Sequence, residues 1–576
     1  MRRIFLACLL LVGIFAGTLS GFAQAPDSST DKHADTSADK TADPLDSLTL
    51  TTFSLAPAAP PASSSQVSRT SLESIAPGRL VVVYRSGAVP KDAAAIAARA
   101  GVRIVRHLPL FGLSSVQVSG DSEAAIAALL AQPEVATVLH DRYVSAHALE
   151  VLPAAAVPKA AGDSQKAGVS SALSTPPPPF TPPVAVIAHP ATVPESDSYY
   201  NSPQGWAVVQ SGGYGENVPG GPASGPWNTS LGSGVRIAIL DSGVDALHPD
   251  IAPNLVLNLS EVNQSLDGGI PSACDDGTPQ DQMGHGTWTA SLAAAAMGPN
   301  TGRTIGVAPQ ASLLNIKVVE RLIGAIGDTT AQQCESGSAG GLLTWVLQGI
   351  QDAVANKADV ISLSLGTLID VTTGDGAGWQ AQMDSVSYAA QQAGAVIVAA
   401  AGNNGVDLSS GQYIELPAQA QGVLPVVAST NPACMEQLTS NPVCMAGPVT
   451  RPYYSNYGAS LNAIAAPGGS YPGGPDTGVS GFVRGACSNG LPGTTDGPPG
   501  NPGQSFGCFN LGHTAYMQAI GTSASAPLVA GAAAILHATH PGWTAAQIVS
   551  ALQNSATKNP EMVEPELNLP AALALQ

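Results

Sequence analysis

Four residues in the C-terminal two thirds of the chain have types and surroundings suited to acyl transfer. Asp241 ends a short apolar strand pattern, and His285 stands between two glycines ahead of an Ala-rich stretch. Asn403 closes a buried-strand pattern, and Ser523 lies in the segment Gly-Thr-Ser-Ala-Ser-Ala-Pro ahead of an apolar run. A serine nucleophile needs a histidine base and a carboxylate that orients it, and an amide can stabilise the oxyanion.

Each of these residues also has an ordinary explanation when it is taken alone. Asp241 could form a turn before Ser-Gly, and a lone histidine is more often structural or solvated. Asn403 precedes Asn-Gly, a common turn, and Ser523 could be a helix N-cap. The conjunction of Asp, His, Asn and Ser in this order, each in its own motif, favours catalysis.

The four motifs together resemble those of the subtilisin family of serine peptidases. The motifs are strand-Asp-Ser-Gly-Val, Gly-His-Gly-Thr, Ala-Ala-Gly-Asn and Gly-Thr-Ser-x-Ser-Ala-Pro, and the resemblance covers roughly residues 201–575. It implies that Ser523 is the nucleophile, His285 the general base and Asp241 the residue that fixes the imidazole tautomer. It also implies an oxyanion hole made by the Asn403 side chain and the Ser523 backbone N–H.

The same resemblance implies two segments that flank an extended substrate as an edge strand and a pocket wall: Ser364, Leu365 and Gly366; and Ala400, Ala401 and Gly402. Glu415 precedes Leu-Pro-Ala, which closes the primary specificity pocket in the family. A carboxylate at the pocket base would favour Arg or Lys before the cut, whereas a solvated loop carboxylate would have no such effect. Ala524 and Trp288 depart from the family pattern, so packing behind Ser523 and His285 is expected to differ.

The elements that position these residues follow from hydrophobic periodicity. Short Val/Ile/Ala strands alternate with Ala-rich helices after residue 200, which predicts an α/β fold: a mostly parallel sheet with helices on both faces. Ahead of it, residues 77–147 predict the order βαββαβ of a small α+β ferredoxin-like domain, with Ser122 as the N-cap of its second helix. This unit resembles the inhibitory propeptide of the family.

Composition divides the rest of the chain. Residues 1–25 have a basic start and an apolar run typical of a secretory signal peptide, and 26–76 are rich in Ser, Thr, Asp, Ala and Pro and predict disorder. Residues 148–200 form a Pro/Ala-rich linker, and 201–576 the peptidase domain. Export and an even count of later cysteines predict disulfides. Six cysteines allow 15 pairings; Cys434–Cys444 and Cys487–Cys508 are the most local pairs, which would leave Cys274–Cys334.

Charge and composition limit the classes of partner that the chain is expected to bind. A formal net charge of −19 argues against nucleic acid as a partner. The predicted partners are protein or peptide substrates and the chain's own propeptide, with no membrane span in the mature chain. No cofactor is needed for the chemistry, although structural calcium is common in the family and Asp275-Asp276 is a candidate acidic loop.

Two other functions fit parts of the pattern. A sedolisin-type acid peptidase has a similar serine motif, but it uses a Glu base, and the His285 motif and Asn403 argue against it. A non-catalytic binding protein on the same scaffold would be expected to lack one of the triad residues, and none is missing.

Overall fold

The computed structural model describes residues 75–146, 197–200, 205–216, 224–262, 272–298, 300–324, 327–335, 337–431, 449–470, 481–489, 508–511 and 514–575. The predicted signal peptide, most of the segment predicted to be disordered and most of the predicted linker lie outside these residues. Boundaries drawn there stay predictions.

The N-terminal unit has the predicted order βαββαβ. Its elements are β1 (Ile75–Tyr84), α1 (Ala93–Arg99), β2 (Val102–Leu108), β3 (Leu113–Val118), α2 (Ser122–Leu130) and β4 (Val135–Ala146). The strands pair antiparallel in the order β4-β1-β3-β2. Apolar residues from both helices and the sheet form a separate small core that includes Leu80, Ile96, Val116 and Leu129.

Two details of this unit differ from the sequence prediction. The N-cap of α2 is Asp121, whose carboxylate accepts a hydrogen bond from Glu123 N, and Ser122 is the first helical residue. Aspartate caps a helix as well as serine does, so the neighbouring Asp121 takes the position. The alternating pattern of the sequence predicts a last strand over residues 135–139, whereas β4 runs on to Ala146 because its second half pairs with another part of the chain.

The larger unit is built on a seven-stranded sheet in which every pairing is parallel, as predicted. Its strands are β5 (Arg236–Asp241), β6 (Leu255–Ser260), β7 (Ser312–Lys317), β10 (Val360–Leu363), β12 (Val396–Ala400), β14 (Leu424–Ser429) and β15 (Ile464–Pro467), in the order β15-β14-β12-β10-β5-β7-β6.

Helices cover both faces of this sheet, and the strand period of two distributes side chains between two cores. Ile237 and Ile239 belong to the core under α4 (His285–Ala294) and α8 (Thr522–Thr539). Ala238 and Leu240 belong to the core under α6 (Leu343–Ala355) and α7 (Gly374–Gln392). Because both faces are buried, the strands read as nearly continuous apolar runs.

The other elements of the larger unit are α3 (Trp206–Gln210), β8 (Glu320–Arg321), α5 (Thr330–Glu335), β9 (Ala339–Leu342), β11 (Leu365–Asp370), β13 (Tyr413–Leu416), β16 (Val483–Ala486), β17 (Cys508–Leu511), β18 (Thr514–Ala519), α9 (Ala545–Ser555) and α10 (Leu569–Leu573). The end of β4 lies between β9 and β11, so the N-terminal sheet continues into the edge strands of the larger unit.

Two of the expected disulfides are formed. Cys274 bonds to Cys334 and Cys487 to Cys508. Cys434 and Cys444 lie outside the described residues, so the third pair stays a prediction. Within the part of the chain that the structure describes, no helix is long and apolar enough to cross a membrane.

Candidate active site

Asp241 and His285 form a buried pair at the carboxyl edge of the parallel sheet. Asp241 is the last residue of β5 and His285 the first of α4. The distance from His285 Nδ1 to Asp241 Oδ1 is 2.7 Å, and each side chain is 1% exposed. A carboxylate at this distance holds the proton on Nδ1, which leaves Nε2 as the basic nitrogen.

The Asp241 carboxylate has two further hydrogen bonds. Ser242 N donates to Oδ1 (2.7 Å) and Thr289 Oγ1 to Oδ2 (3.2 Å). Sequence reasoning did not single out Thr289. The signal was present, because a residue four positions after His285 lies on the same face of the helix.

Asp281 connects the loop that carries Asp241 to the helix that carries His285. Its Oδ1 accepts from Ser242 Oγ (2.9 Å) and Gly284 N (2.8 Å), and its Oδ2 from Thr287 N (2.9 Å) and Oγ1 (2.6 Å). Burial raises the pKa of Asp281, while the hydrogen bonds from Thr287 and Gly284 act in the opposite direction. Asp281 was also missed from sequence; an acid just before a predicted helix start was its signal.

Ser523 is the second residue of α8 and lies at the same edge of the sheet. Its Oγ donates to Ser364 O at 3.3 Å, and Ser364 Oγ donates to Ser523 O at 3.0 Å. Ser364 follows β10, whose Leu363 pairs with Leu240 beside Asp241. His285 Nε2 is buried and has no hydrogen-bond partner among the described residues, so Ser523 Oγ is not bonded to it in this state. Hydrogen bonds between catalytic groups often tighten only when substrate is bound.

Asn403 lies beside the start of α8. Its side-chain Oδ1 accepts from both Thr522 N and Thr522 Oγ1, each at 2.9 Å. Two donors at this atom identify it as the amide oxygen and fix the orientation of the side chain. The Ser523 N–H lies in the first turn of α8, where backbone N–H groups have no intrahelical acceptor. Thr522, which was not predicted, orients Asn403.

The two departures from the family pattern are both fully buried. Trp288 has its ring centroid 5.8 Å from that of His285, and its Nε1 donates to Val483 O at 3.2 Å. Ala524 contributes to the core beneath α8. The indole of Trp288 thus fills the space beside the imidazole of His285.

The end of β4 lies in the cleft next to Ser523. Ala146 pairs with Leu365 and Ser145 with Gly366 on one side, while Ser145 pairs with Gly340 on the other side. The strand is thus clamped by main-chain pairing between β11 and β9, the manner in which an extended peptide adds to an exposed sheet edge.

The segment 400–402 begins at the last residue of β12 and leads to Asn403. Glu415, on β13 opposite Leu368, is 1% exposed. Its Oε2 lies 3.1 Å from where a Cβ on Gly402 would stand, and with Asn403 it lines a cavity of about 380 Å³. Burial raises the pKa of Glu415 well above its usual range. Glu415 is therefore not a solvated loop carboxylate.

The acidic loop considered for calcium is largely engaged by the protein itself. Asp275 Oδ1 accepts from Lys317 Nζ (2.7 Å) and Oδ2 from Arg321 N (2.9 Å). Asp276 accepts from Thr278 and Gln282. An ammonium on Asp275 does not fit a calcium ligand set. Over the described ranges, no cluster of three or more His, Cys, Asp or Glu residues is arranged to hold a metal ion.

Family models match two parts of the chain. Residues 232–568 match the subtilase family, and residues 61–139 match the fervidolysin N-terminal prodomain.

Individual relatives agree with these matches. Subtilisin amylosacchariticus from Bacillus subtilis subsp. amylosacchariticus is 29% identical over 327 residues, which are 57% of this chain and 61% of the relative. Thermitase from Thermoactinomyces vulgaris is 37% identical over 179 residues, 31% of this chain and 51% of the relative. The matches thus span about three fifths or less of the length of these relatives.

Solved structures share the fold. Fervidolysin from Fervidobacterium pennivorans, described as a keratinolytic enzyme related to subtilisin, aligns with a TM-score of 0.55 and 20% identity over 87% of this chain and 61% of that chain. The epidermin leader peptide processing serine protease from Staphylococcus aureus gives 0.55 and 17% over 86% of this chain and 98% of that chain. With its family domain covering more than half of its length, this chain belongs to the subtilase family and carries, ahead of that domain, a unit similar to the fervidolysin prodomain.

Proposed function

We propose that this protein is a secreted serine endopeptidase that is made as a self-processed zymogen and cleaves peptide bonds through an acyl-enzyme. The observation that supports this most directly is the end of β4, clamped between β9 and β11 and ending opposite Leu365, next to Ser364 and Ser523. A prodomain bound in this way has the position of a cleaved product.

In the proposed reaction Ser523 Oγ attacks the scissile carbonyl carbon while His285 Nε2 takes its proton. The C–N bond then breaks, and the same nitrogen gives the proton to the leaving amine. Water repeats the sequence on the acyl-enzyme and releases the carboxylic acid. Asp241, held by Ser242 and Thr289, stabilises the imidazolium that forms in each half.

The charge that develops on the substrate oxygen would be held by Asn403 Nδ2 and Ser523 N–H. Both donors are fixed before the reaction, the first through Thr522 and the second by the start of α8. Donors that need no reorganisation stabilise the transition state more than the ground state.

The prodomain would inhibit the enzyme through the cleft and through two helix starts. Asp141 Oδ2 accepts from Thr344 Oγ1 (2.5 Å) at the start of α6, and Arg142 Nη2 donates to Asp375 Oδ2 (2.7 Å) in the first turn of α7. Arg106 of the prodomain also pairs with Glu261 at 2.7 Å. We infer that maturation cuts the chain one residue beyond the end of β4, close to Ser523.

Export is supported by the signal-like N-terminus and by the two disulfides. Cysteines paired in this way persist in oxidising compartments, which fits a periplasmic or extracellular location.

Replacing Ser523 with Ala tests the proposal. The variant should have no peptidase activity and should accumulate with residues 77–147 still attached, whereas wild-type protein loses them. The N-terminus of each purified protein is read by mass spectrometry. Normal processing of the Ser523→Ala protein would remove self-cleavage from the proposal.

A serine-directed fluorophosphonate separates an enzyme from a binding protein on the same scaffold. Labelling of the processed wild-type protein at Ser523, with none in Ser523→Ala, is the expected result. A folded, processed sample that takes no label at Ser523 would contradict the acyl-enzyme mechanism.

A further inference from the structure

Glu320 lies in the same cross-strand row as the prodomain residue Ser145. Glu320 on β8 pairs with Gly340 on β9, and Gly340 pairs with Ser145 on β4. Directly opposed residues of antiparallel strands project to the same face of a sheet. Glu320 and Ser145 therefore point to one face, two strand spacings apart, or about 10 Å. Glycine between them leaves that space without an intervening side chain from β9.

Among the residues that the structure describes, no cationic side chain forms an ion pair with the carboxyl group of Glu320. Glu320 is 8% exposed, and its Oε2 accepts from Ser272 N at 3.3 Å. The nearby ammonium of Lys317 is bonded to Asp275 at 2.7 Å. Burial and the charge of Asp275 raise the pKa of Glu320 to about 7, although Lys317 acts against this rise. A cation brought to Glu320 would therefore compensate a desolvated charge.

The position of Ser145 along the cleft identifies the substrate residue that faces Glu320. Ala146 is opposite Leu365, and the carbonyl of the preceding Ser364 accepts from Ser523 Oγ. In a peptide that replaces β4, the residue after the one at Ala146 comes level with Ser364 and with the nucleophile. The residue at the position of Ser145 is then the third before the scissile bond.

We propose that Glu320 makes the enzyme select peptides with Arg or Lys at the third position before the scissile bond. This inference rests on the proposed peptidase function. Ser145 is exposed in the zymogen, so a longer side chain has room there. A basic side chain and Glu320 together span the gap across Gly340. The aliphatic part of the basic side chain would lie against Leu322, which is 38% exposed and contacts the position above Gly340. Its charged group would reach Glu320.

The proposal also accounts for a prodomain that can be released. Serine at position 145 is too short to reach Glu320, so the bound prodomain leaves this carboxyl without a cation. A basic peptide gains an ion pair that the prodomain lacks.

Peptides that differ only at the third position before the cut test the proposal on the mature enzyme, activated from the full-length protein. We expect kcat/KM for Arg to exceed that for the uncharged Gln by about three- to tenfold, the range of a partly desolvated ion pair. In Glu320→Gln this ratio should fall to about one. Glu561→Gln removes an equal charge at an exposed loop and should keep the wild-type ratio.

The outcomes separate the two proposals. If no peptide is cleaved, the peptidase function itself fails. If peptides are cleaved but Arg and Gln are equivalent in the wild-type enzyme, or if the Arg preference persists in Glu320→Gln, then Glu320 does not select the substrate.

A second measurement needs no turnover. In the full-length Ser523→Ala protein, Ser145→Arg should raise the midpoint of thermal unfolding when Glu320 is present and leave it unchanged in the Glu320→Gln background. An equal shift in both backgrounds would show that the arginine acts elsewhere and would overturn the pairing.

Discussion

At the scale of single residues, the amide oxygen of Asn403 is held by Thr522. Thr522 donates to Oδ1 twice, and Nδ2 is the atom of this amide that can donate to a substrate oxygen. Replacing Asn403 with Leu should lower kcat by about two to three orders of magnitude with little change in KM. That magnitude is taken from an oxyanion asparagine of a subtilisin.

The neighbouring amide provides a matched control. Asn404 is exposed, and its backbone N–H donates to Asn456. Asn404→Leu should therefore change kcat far less than Asn403→Leu, as steady-state kinetics on one peptide would show. A rise in KM with unchanged kcat for Asn403→Leu would make Asn403 a binding residue instead.

The position of Glu415 predicts which residue the enzyme prefers directly before the scissile bond. Its buried carboxyl lies beside Gly402, at the wall of the proposed primary pocket. Wild-type enzyme should prefer Arg or Lys to Phe or Leu directly before the cut. Glu415→Gln keeps the shape and should lower this preference by about tenfold or more, because a desolvated pair loses its charge.

The raised pKa of Glu415 also predicts how the preference for a basic residue changes with pH. Because burial raises the pKa of Glu415, the carboxyl is neutral at low pH and ionises only as the pH rises. The preference for Arg over Leu should therefore grow with pH in the wild-type enzyme and stay flat in Glu415→Gln. A preference in Glu415→Gln that equals the wild-type preference at every pH would show that Glu415 does not face the substrate.

At the scale of elements, the strands and helices could be predicted wherever a hydrophobic pattern of strand or helix period lay next to one of the site motifs. The strand patterns before Asp241 and Asn403 and the Ala-rich helices after His285 and Ser523 predicted a parallel sheet with helices on both faces. The ferredoxin-like order was predicted in the same way. These patterns are local, and a single sequence displays them.

Contacts between distant segments were not predictable in this way. The hydrogen bonds of Asp281 and Thr522 join residues brought together only by the fold, and nothing in their spacing distinguishes them from ordinary capping residues. The extension of β4 to Ala146 depends on pairing with β9 and β11, which its own sequence does not encode. Tertiary pairing, and not propensity, sets its length.

The start of α6 shows how one element depends on another. Its N-cap position is Leu342, which offers no side-chain acceptor, and Asp141 of the prodomain supplies one to Thr344. Burial raises the pKa of Asp141 to about 6, while the hydrogen bonds from Thr344 and Arg142 and the charge of Arg79 oppose that rise.

A pH dependence of inhibition follows from Asp141. Its raised pKa means that the bound prodomain holds the proton more tightly than free prodomain, so binding weakens as the pH rises from about 4 through 6. The inhibition constant of the separate 77–147 segment should rise about tenfold from pH 5 to 8.

Two variants check the assignment to Asp141. Asp141→Asn should flatten most of this dependence, and Asp121→Asn, an exposed N-cap, should leave it unchanged. His140, Glu123 and Asp375 lie close by and remain in both variants, so a residual slope is expected. Equal slopes in wild type and Asp141→Asn would assign the effect to those groups.

At the scale of the whole molecule, the prodomain has an apolar contact with the rest of the chain and a main-chain contact in the cleft, besides its polar contacts. Leu108, Phe111 and Leu139 belong to the core that also contains residues of α6 and α7, while the end of β4 occupies the cleft. The first contact is apolar and independent of the catalytic residues. The second places main chain beside Ser523.

This division predicts that the 77–147 segment, made separately, binds the mature domain and inhibits it. The segment has its own apolar core around Leu80 and Ile96, so it carries the means to fold apart from the larger unit.

Shortening the segment to end at Asp141 removes the strand that pairs with β9 and β11 but keeps the packing against α6 and α7. The shortened form should bind and yet inhibit much more weakly, because only the missing strand blocks the nucleophile. Binding measured by calorimetry and activity measured on one peptide separate the two contacts. Full inhibition by the shortened form would place the block outside the cleft, and a folded full segment without effect at micromolar concentration would make it an unrelated ferredoxin-like unit.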